Sequence, residues 1–168
     1  IIGIDGADWK ALEEFVEEGV VPNIAEVFER GIHGDLKSIV PPISIPAWLC
    51  FGTGKRPDKL DLYNFVVREE GTYNLHRVHN SEEYQRDCFW NLMKEKKIGI
   101  VGVPSTFPVG DYNGFFVSGP LGPRGTYPEF LKERAEENYN RSYPKGYQLS
   151  DSLKALEDNG DFVADIFE

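Results

Sequence analysis

Five residues open the chain, Ile1-Ile2-Gly3-Ile4-Asp5, in which apolar positions run together and stop at a carboxylate and Gly6. A short apolar run bounded by turn residues predicts a buried strand of a parallel sheet. The period then changes. Asp8 precedes Trp9, Leu12, Phe15 and Val16, spaced three and four apart, which predicts a capped amphipathic helix ending at Gly19. Pro22 and Asn23 open a second helix, with Ile24, Val27 and Phe28 on its inner face and Gly31 at its end. Partial alternation over residues 32–40 predicts a second strand. Residues 47–51 are material for a buried helix, stopped by Gly52 and Gly54 and kept stopped by Pro57.

Between residues 56 and 80 the periodicity dissolves, and Tyr63, Phe65 and Tyr73 lie among charges and turn residues. A long loop or a small hairpin is expected there. Ser81, Tyr84, Cys88, Phe89, Leu92 and Met93 predict a helix closed by Lys94-Glu95-Lys96-Lys97, whose lysines suit the helix dipole. Ile98-Gly99-Ile100-Val101-Gly102-Val103 is the clearest strand, and residues 104–108 form a proline-bounded loop after it. Residues 115–119 read as another strand. Helix followed by strand repeats the first unit, so βαβ connectivity and a mostly parallel sheet follow. Thr126-Tyr127-Pro128-Glu129 has the form of a capping box with proline in the first turn, continued by Phe130, Leu131 and Ala135. Residues 139–149 are tyrosine-rich and irregular. Residues 150–156 predict a helix, and Asp161 caps a last amphipathic segment carrying Phe162, Val163, Ile166 and Phe167.

Charge and composition narrow the function. The 168 residues suffice for one α/β domain spanning 1–168 with a real core, and no linker or repeat divides them. A net charge of −10 argues against a nucleic-acid polymer as partner, although metal ions can reverse the field locally for a small phosphate ester. No apolar run reaches the roughly 18–20 residues of a membrane span, and the first residues lack the charged region of a signal peptide. Cys50 and Cys88 are too few for a disulfide framework. A cytoplasmic protein with no membrane contact is expected.

Candidate chemistry concentrates in Pro41-Pro42-Ile43-Ser44-Ile45-Pro46-Ala47-Trp48. Ser44 falls at a helix start, where a serine is first of all an N-cap. The same place carries partial positive charge and free N–H donors, which favour an alkoxide and a phosphoryl group, so Ser44 is also a candidate nucleophile. A serine hydroxyl needs a base or a metal to activate it. Asp5, at the end of the predicted first strand, is the candidate. Adjacent strands lie roughly 5 Å apart, so Asp5 and Ser44 could reach one metal ion. Asp5 alone is equally a solvated turn carboxylate.

These segments resemble the type I phosphodiesterase/nucleotide pyrophosphatase family of the alkaline phosphatase superfamily. The resemblance rests on Ile2-Gly3-Ile4-Asp5-Gly6, Gly19 to Gly31 with Pro22-Asn23, the proline–serine segment running into Thr53-Gly54-Lys55-Arg56-Pro57, Val103-Pro104-Ser105-Thr106-Phe107-Pro108, Val117-Ser118-Gly119 and Thr126-Tyr127-Pro128. It covers nearly the whole chain in order. It implies a three-layer α/β/α sandwich around a mostly parallel sheet, here the N-terminal part of the catalytic domain and incomplete at the C-terminus. It implies hydrolysis of phosphoric esters or nucleotide pyrophosphate bonds. The cofactors would be two divalent ions, zinc first, with manganese or magnesium as alternatives. Asp5 would match the first metal ligand. Ser44 would match the nucleophile, also at the metal, passing through a covalent phospho-enzyme.

Several positions depart from the family pattern. Leu60-Asp61-Leu62-Tyr63-Asn64 stands where members often carry His-Gly-Ile-x-Asp, and the later Asp and His ligands lie in a C-terminal half. His76 and His79 could share a metal on a helix, but Gly71 and Asn74 argue against one there, and His33 reads as packing or surface. Tyrosines around Tyr63 and from Tyr139 to Tyr147 could stack on a base, or simply pack at a domain edge. Ser44-Ile45-Pro46-Ala47-Trp48 lacks the arginine of a sulfatase segment. The other class of reading is a non-catalytic α/β module used for binding or assembly. If these residues were the whole protein, a sheet edge and apolar faces would be left uncovered, and a homo-oligomer is expected in that case.

Overall fold

The computed structural model describes residues 1–78, 82–120 and 123–142. Helices α1 (Trp9–Glu17), α2 (Pro22–Arg30), α3 (Ser44–Thr53) and α4 (Pro57–Leu60) lead into a hairpin of β1 (Val66–Arg68) and β2 (Leu75–Arg77). Short helices α5 (Glu82–Gln85) and α6 (Phe89–Leu92) follow, then strands β3 (Ile98–Val103), β4 (Gly114–Ser118) and β5 (Thr126–Tyr127). A 3-10 turn over Glu129–Leu131 runs into α7 (Lys132–Ser142).

Local chemistry sets the bounds of the first two helices as expected, but Val27, expected on the inner face of α2, is 68% exposed. Neither helix has a buried residue, because no sheet covers them among the described residues. Asp8 caps α1, its Oδ1 accepting the Lys10 N–H at 2.8 Å. At the other end Gly19 takes φ +72°, its N–H donates to Val16 O (3.1 Å) and that of Val20 to Phe15 O (3.0 Å), a Schellman closure. Trp9 of α1 meets Phe28 of α2 at 4.7 Å between ring centroids, and His33 packs on both rings at 5.1 and 4.9 Å. His33 is therefore a packing residue.

Helix α3 is the centre of the molecule. Ile45, Leu49 and Cys50 form a core with Leu60, Leu62 and Val78, against which Val67 of the hairpin and Tyr84 of α5 pack. Gly54 caps α3 in the left-handed region (φ +67°), its N–H donating to Cys50 O at 2.8 Å. Gly52 does not stop the helix. It lies inside it, where its missing side chain makes room for Trp90. Trp90, Cys88, Tyr112 and Phe116 make the second core, under the sheet.

That sheet has the order β3-β4-β5. β3 and β4 run parallel from Ile98↔Gly114 to Val103↔Ser118, with an irregularity between Val101 and Val103, and β5 joins antiparallel through Phe116↔Tyr127 and Val117↔Thr126. The mixed α/β character matches expectation, but among the described residues the sheet is half parallel and half antiparallel. The expected strands over residues 1–5 and 32–40 form no ladder. Ile1, Ile2, Ile32 and Leu36 stay almost fully exposed. Both runs have a strand's composition, but a strand exists only where a neighbour completes its hydrogen bonds.

Two further expectations change. The helix expected from Ser81 is two short pieces, α5 and α6, because Cys88 is extended and caps α6 while Asn91 Nδ2 donates back to Gln85 O at 2.6 Å. The capping box at Thr126 is instead strand β5, since Thr126 pairs with Val117. The hairpin between 56 and 80 is present, joined by the short helix α4 that Pro57 opens. Residues 139–142, expected to be irregular, continue α7, and the segments predicted over residues 143–168 lie outside the described residues.

Candidate functional site

Ser44 is the first residue of α3, and Ile43 is the cap. The N-cap role expected for Ser44 is thus not its role. Its Oγ donates instead to Asp5 Oδ2 at 3.0 Å, across 39 positions of sequence. One helical turn on, Trp48 Nε1 donates to Asp5 Oδ1, also at 3.0 Å. Residues i and i+4 share a helix face, so α3 holds both oxygens of one carboxylate. The approach is pinned by the Ile43 N–H on Pro41 O (2.9 Å) and the Ala47 N–H on Ile43 O (3.0 Å). Pro46 occupies the first turn, where its missing N–H costs nothing. The backbone N–H groups of Ser44 and Ile45 have no partner within the helix, so they add donors beside the hydroxyl.

Asp5 is brought to α3 without any strand pairing. Gly6 turns the chain just after it with φ +69°. Gly3 lies flat on the Trp48 ring: a Cβ there would overlap Cη2 and stand 2.9 Å from Cζ3. Gly3, Asp5 and Trp48 line a cleft of about 500 Å³ together with β3, Pro104, Phe51 and Phe89. The cleft runs along β3 and reaches the start of the loop that follows it.

A carboxylate and a hydroxyl are hard oxygen donors, suited to a divalent cation, and here they converge. They fit part of a metal site. Among the described residues no group of three or more His, Cys, Asp or Glu side chains converges. His76 lies in β2 opposite Val67, so the helix that shared ligation with His79 would need is absent there, as Gly71 and Asn74 argued, and His79 lies outside the described residues. Leu60 and Leu62 are core residues.

The charges after α3 are satisfied locally. Lys55 pairs with Asp87, and Arg56 makes two bonds to Asp58 at 2.9 and 2.7 Å. Each hydrogen-bonded cation holds its carboxylate below the usual range. Both thiols are held in the neutral form: burial, with Asp87 adding to it, pushes Cys88 up to about 12, and burial raises Cys50. Of the tyrosines considered for base stacking, Tyr139 has the Arg124 guanidinium 3.4 Å from its ring centroid. Tyr63 is partly exposed and does not line the cleft. Tyr143 and Tyr147 lie outside the described residues.

Sequence reasoning singled out Asp5 and Ser44 and missed Trp48. The signal was the spacing Ser44-Ile45-Pro46-Ala47-Trp48, which puts an indole donor one turn above the hydroxyl.

No described helix is long and apolar enough to cross a membrane. No curated protein and no solved structure matches the chain. The family model for type I phosphodiesterase / nucleotide pyrophosphatase matches residues 1–164. That family acts on small phosphodiester or nucleotide substrates and is generally metal-dependent. With nearly every residue of the sequence matched, from the opening Ile-Ile-Gly-Ile-Asp through the serine helix and the sheet, the chain belongs to the type I phosphodiesterase/nucleotide pyrophosphatase family.

Proposed function

We propose that this chain carries the nucleophile of a metal-dependent hydrolase of phosphoric ester or nucleotide pyrophosphate bonds, with Ser44 as nucleophile and Asp5 as its partner and first metal ligand. One observation carries the reading. Ser44 sits at a helix start without capping it, and its hydroxyl points at a carboxylate 3.0 Å away. A serine that served only the helix would bond a backbone N–H.

The chain's own groups divide the work. In the resting site the Ser44 hydroxyl donates to Asp5 Oδ2, which orients it and leaves lone pairs of Oγ free toward a phosphorus atom. The free N–H groups at the start of α3 lie beside the phosphoryl oxygens and favour their charge. As the Oγ–P bond forms in line and the hydroxyl proton passes to solvent water, the bond from phosphorus to the leaving oxygen breaks and that oxygen departs with the product. Water then attacks the phosphorus and breaks the Oγ–P bond, a water proton restoring the Ser44 hydroxyl; the product is phosphate from a monoester, or the remaining phosphomonoester or nucleotide from a diester or pyrophosphate bond. A divalent cation, zinc first, supplies acidification of the hydroxyl and neutralisation of phosphoryl charge when it is bound by Asp5 and Ser44. The three-layer α/β/α sandwich belongs to the same proposal.

The test is turnover of bis-p-nitrophenyl phosphate with zinc or manganese, and mass spectrometry of the quenched protein. Loss of turnover in Ser44→Ala together with a p-nitrophenyl phosphoryl adduct on Ser44 in the wild type is expected. Equal turnover in Ser44→Ala refutes the reading. A non-catalytic binding or assembly module is the second reading, favoured by the incomplete ligand set among the described residues. It predicts no turnover under any metal.

A further inference from the structure

We propose that Trp48 is a positioning residue for the Asp5 carboxylate, an inference that rests on the reading of Asp5 as a metal ligand. Asp5 belongs to a segment with no ladder bonds, preceded by two isoleucines almost fully in solvent. Its backbone therefore does not fix where its carboxylate points. Among the described residues that carboxylate has two hydrogen-bond donors, Ser44 Oγ on Oδ2 and Trp48 Nε1 on Oδ1. Both come from one face of α3, whose Ile45, Pro46 and Leu49 are buried.

The two donors are not equivalent. Ser44 Oγ is the reacting atom, and its hydrogen bond to Asp5 is given up when the hydroxyl proton is lost. The indole N–H has no acid chemistry in this range and keeps its place throughout. Its ring is held on three sides: Gly3 lies on it, Phe51 meets it edge-on with centroids 6.1 Å apart, and the helix carries it. Occupation of Oδ1 by Trp48 reserves Oδ2 for the hydroxyl and the cation. Partners of this kind, one bond removed from the metal, set ligand orientation, and their loss changes metal affinity or activity by about 10–100-fold.

The experiment uses the full chain and the variant W48F, which keeps an aromatic ring on Gly3 and removes the donor. Mn²⁺ alone is titrated by electron paramagnetic resonance, and kcat and KM are measured separately on bis-p-nitrophenyl phosphate. The expected result is weaker Mn²⁺ binding by about 10-fold or more, a fall in kcat of similar size and an unchanged KM. If W48F does not fold, 3-benzothienylalanine at position 48 preserves the bicyclic shape without the N–H and takes its place. Unchanged Mn²⁺ affinity in a folded variant overturns the proposal. Ser44→Ala read alongside separates the two ideas: its full activity would sink the nucleophile reading, whereas Mn²⁺ affinity in W48F judges Trp48 alone.

Discussion

Replacing Gly52 by alanine sets two effects of opposite sign against each other inside the helix that carries Ser44. Alanine is the better helix former by about 0.8–1 kcal/mol, so an open position would be stabilised. Gly52 is not open. The added Cβ would stand 2.5 Å from Cη2 and 3.0 Å from Cζ3 of Trp90, and 3.0 Å from Cys88 Sγ. Trp90 is 3% exposed and Cys88 fully buried, so neither is a flexible end that swings aside. Phe89 packs edge-on against Trp90 at 4.9 Å and closes one direction of escape. Overpacking of this kind costs about 1–3 kcal/mol, and a clash with a rigid ring belongs at the upper end. The packing term wins, leaving a net loss of about 1–2 kcal/mol. For a chain of this size that lowers Tm by about 2–8 °C. Thermal unfolding followed by tryptophan fluorescence and by circular dichroism measures it. An unchanged or higher Tm in Gly52→Ala would show that Trp90 does not fill the space beside α3.

At Gly54 a Cβ would meet nothing within 4 Å, so the cost of adding one is purely conformational: Gly54→Ala should lose about 1 kcal/mol at φ +67°, and Gly54→Asn less, in urea titrations. Both thiols should be silent to Ellman's reagent at pH 8 in the native protein and should react in denaturant, because Cys88 stands at about 12 and Cys50 is also raised by burial. The Lys55 hydrogen bond depresses Asp87, so this group stabilises the fold above the ordinary carboxylate range, and the contribution fades as pH falls through its folded value. Asp87→Asn should accordingly be slightly less stable than wild type at pH 7, with a gap that narrows in acid and in high salt; a gap independent of pH would refute the pairing.

Features decided within a few residues were legible in the sequence. Asp8 and Gly19 close α1 by bonds that reach no farther than five positions, and the apolar run at 98–103 is bounded so sharply that only a strand fits it. Features decided by a distant partner were not. The run at residues 1–5 carries a strand's pattern but has no neighbour to pair with, and Thr126 abandons its capping pattern because Val117 offers a ladder. Gly52 reads as a stop until Trp90 is seen beside it. The site shows the same division. Asp5 and Ser44 stood out by residue type and place, whereas Trp48, an apolar residue in an apolar helix, shows its polar edge only once Asp5 is brought to it.

The loop after β3 carries Thr106, 1% exposed, whose hydroxyl donates to Val103 O at 2.6 Å and accepts the Gly119 N–H at 3.2 Å. Gly119 N–H also reaches Val103 O at 3.0 Å. One hydroxyl thus rivets the outgoing ends of two neighbouring strands, so Pro104 and Pro120, which both face the cleft, hang from a common anchor. That wall of the cleft keeps its shape even if the chain between the rivet's two ends breathes, and Gly119 should exchange its amide hydrogen as slowly as an interior strand residue.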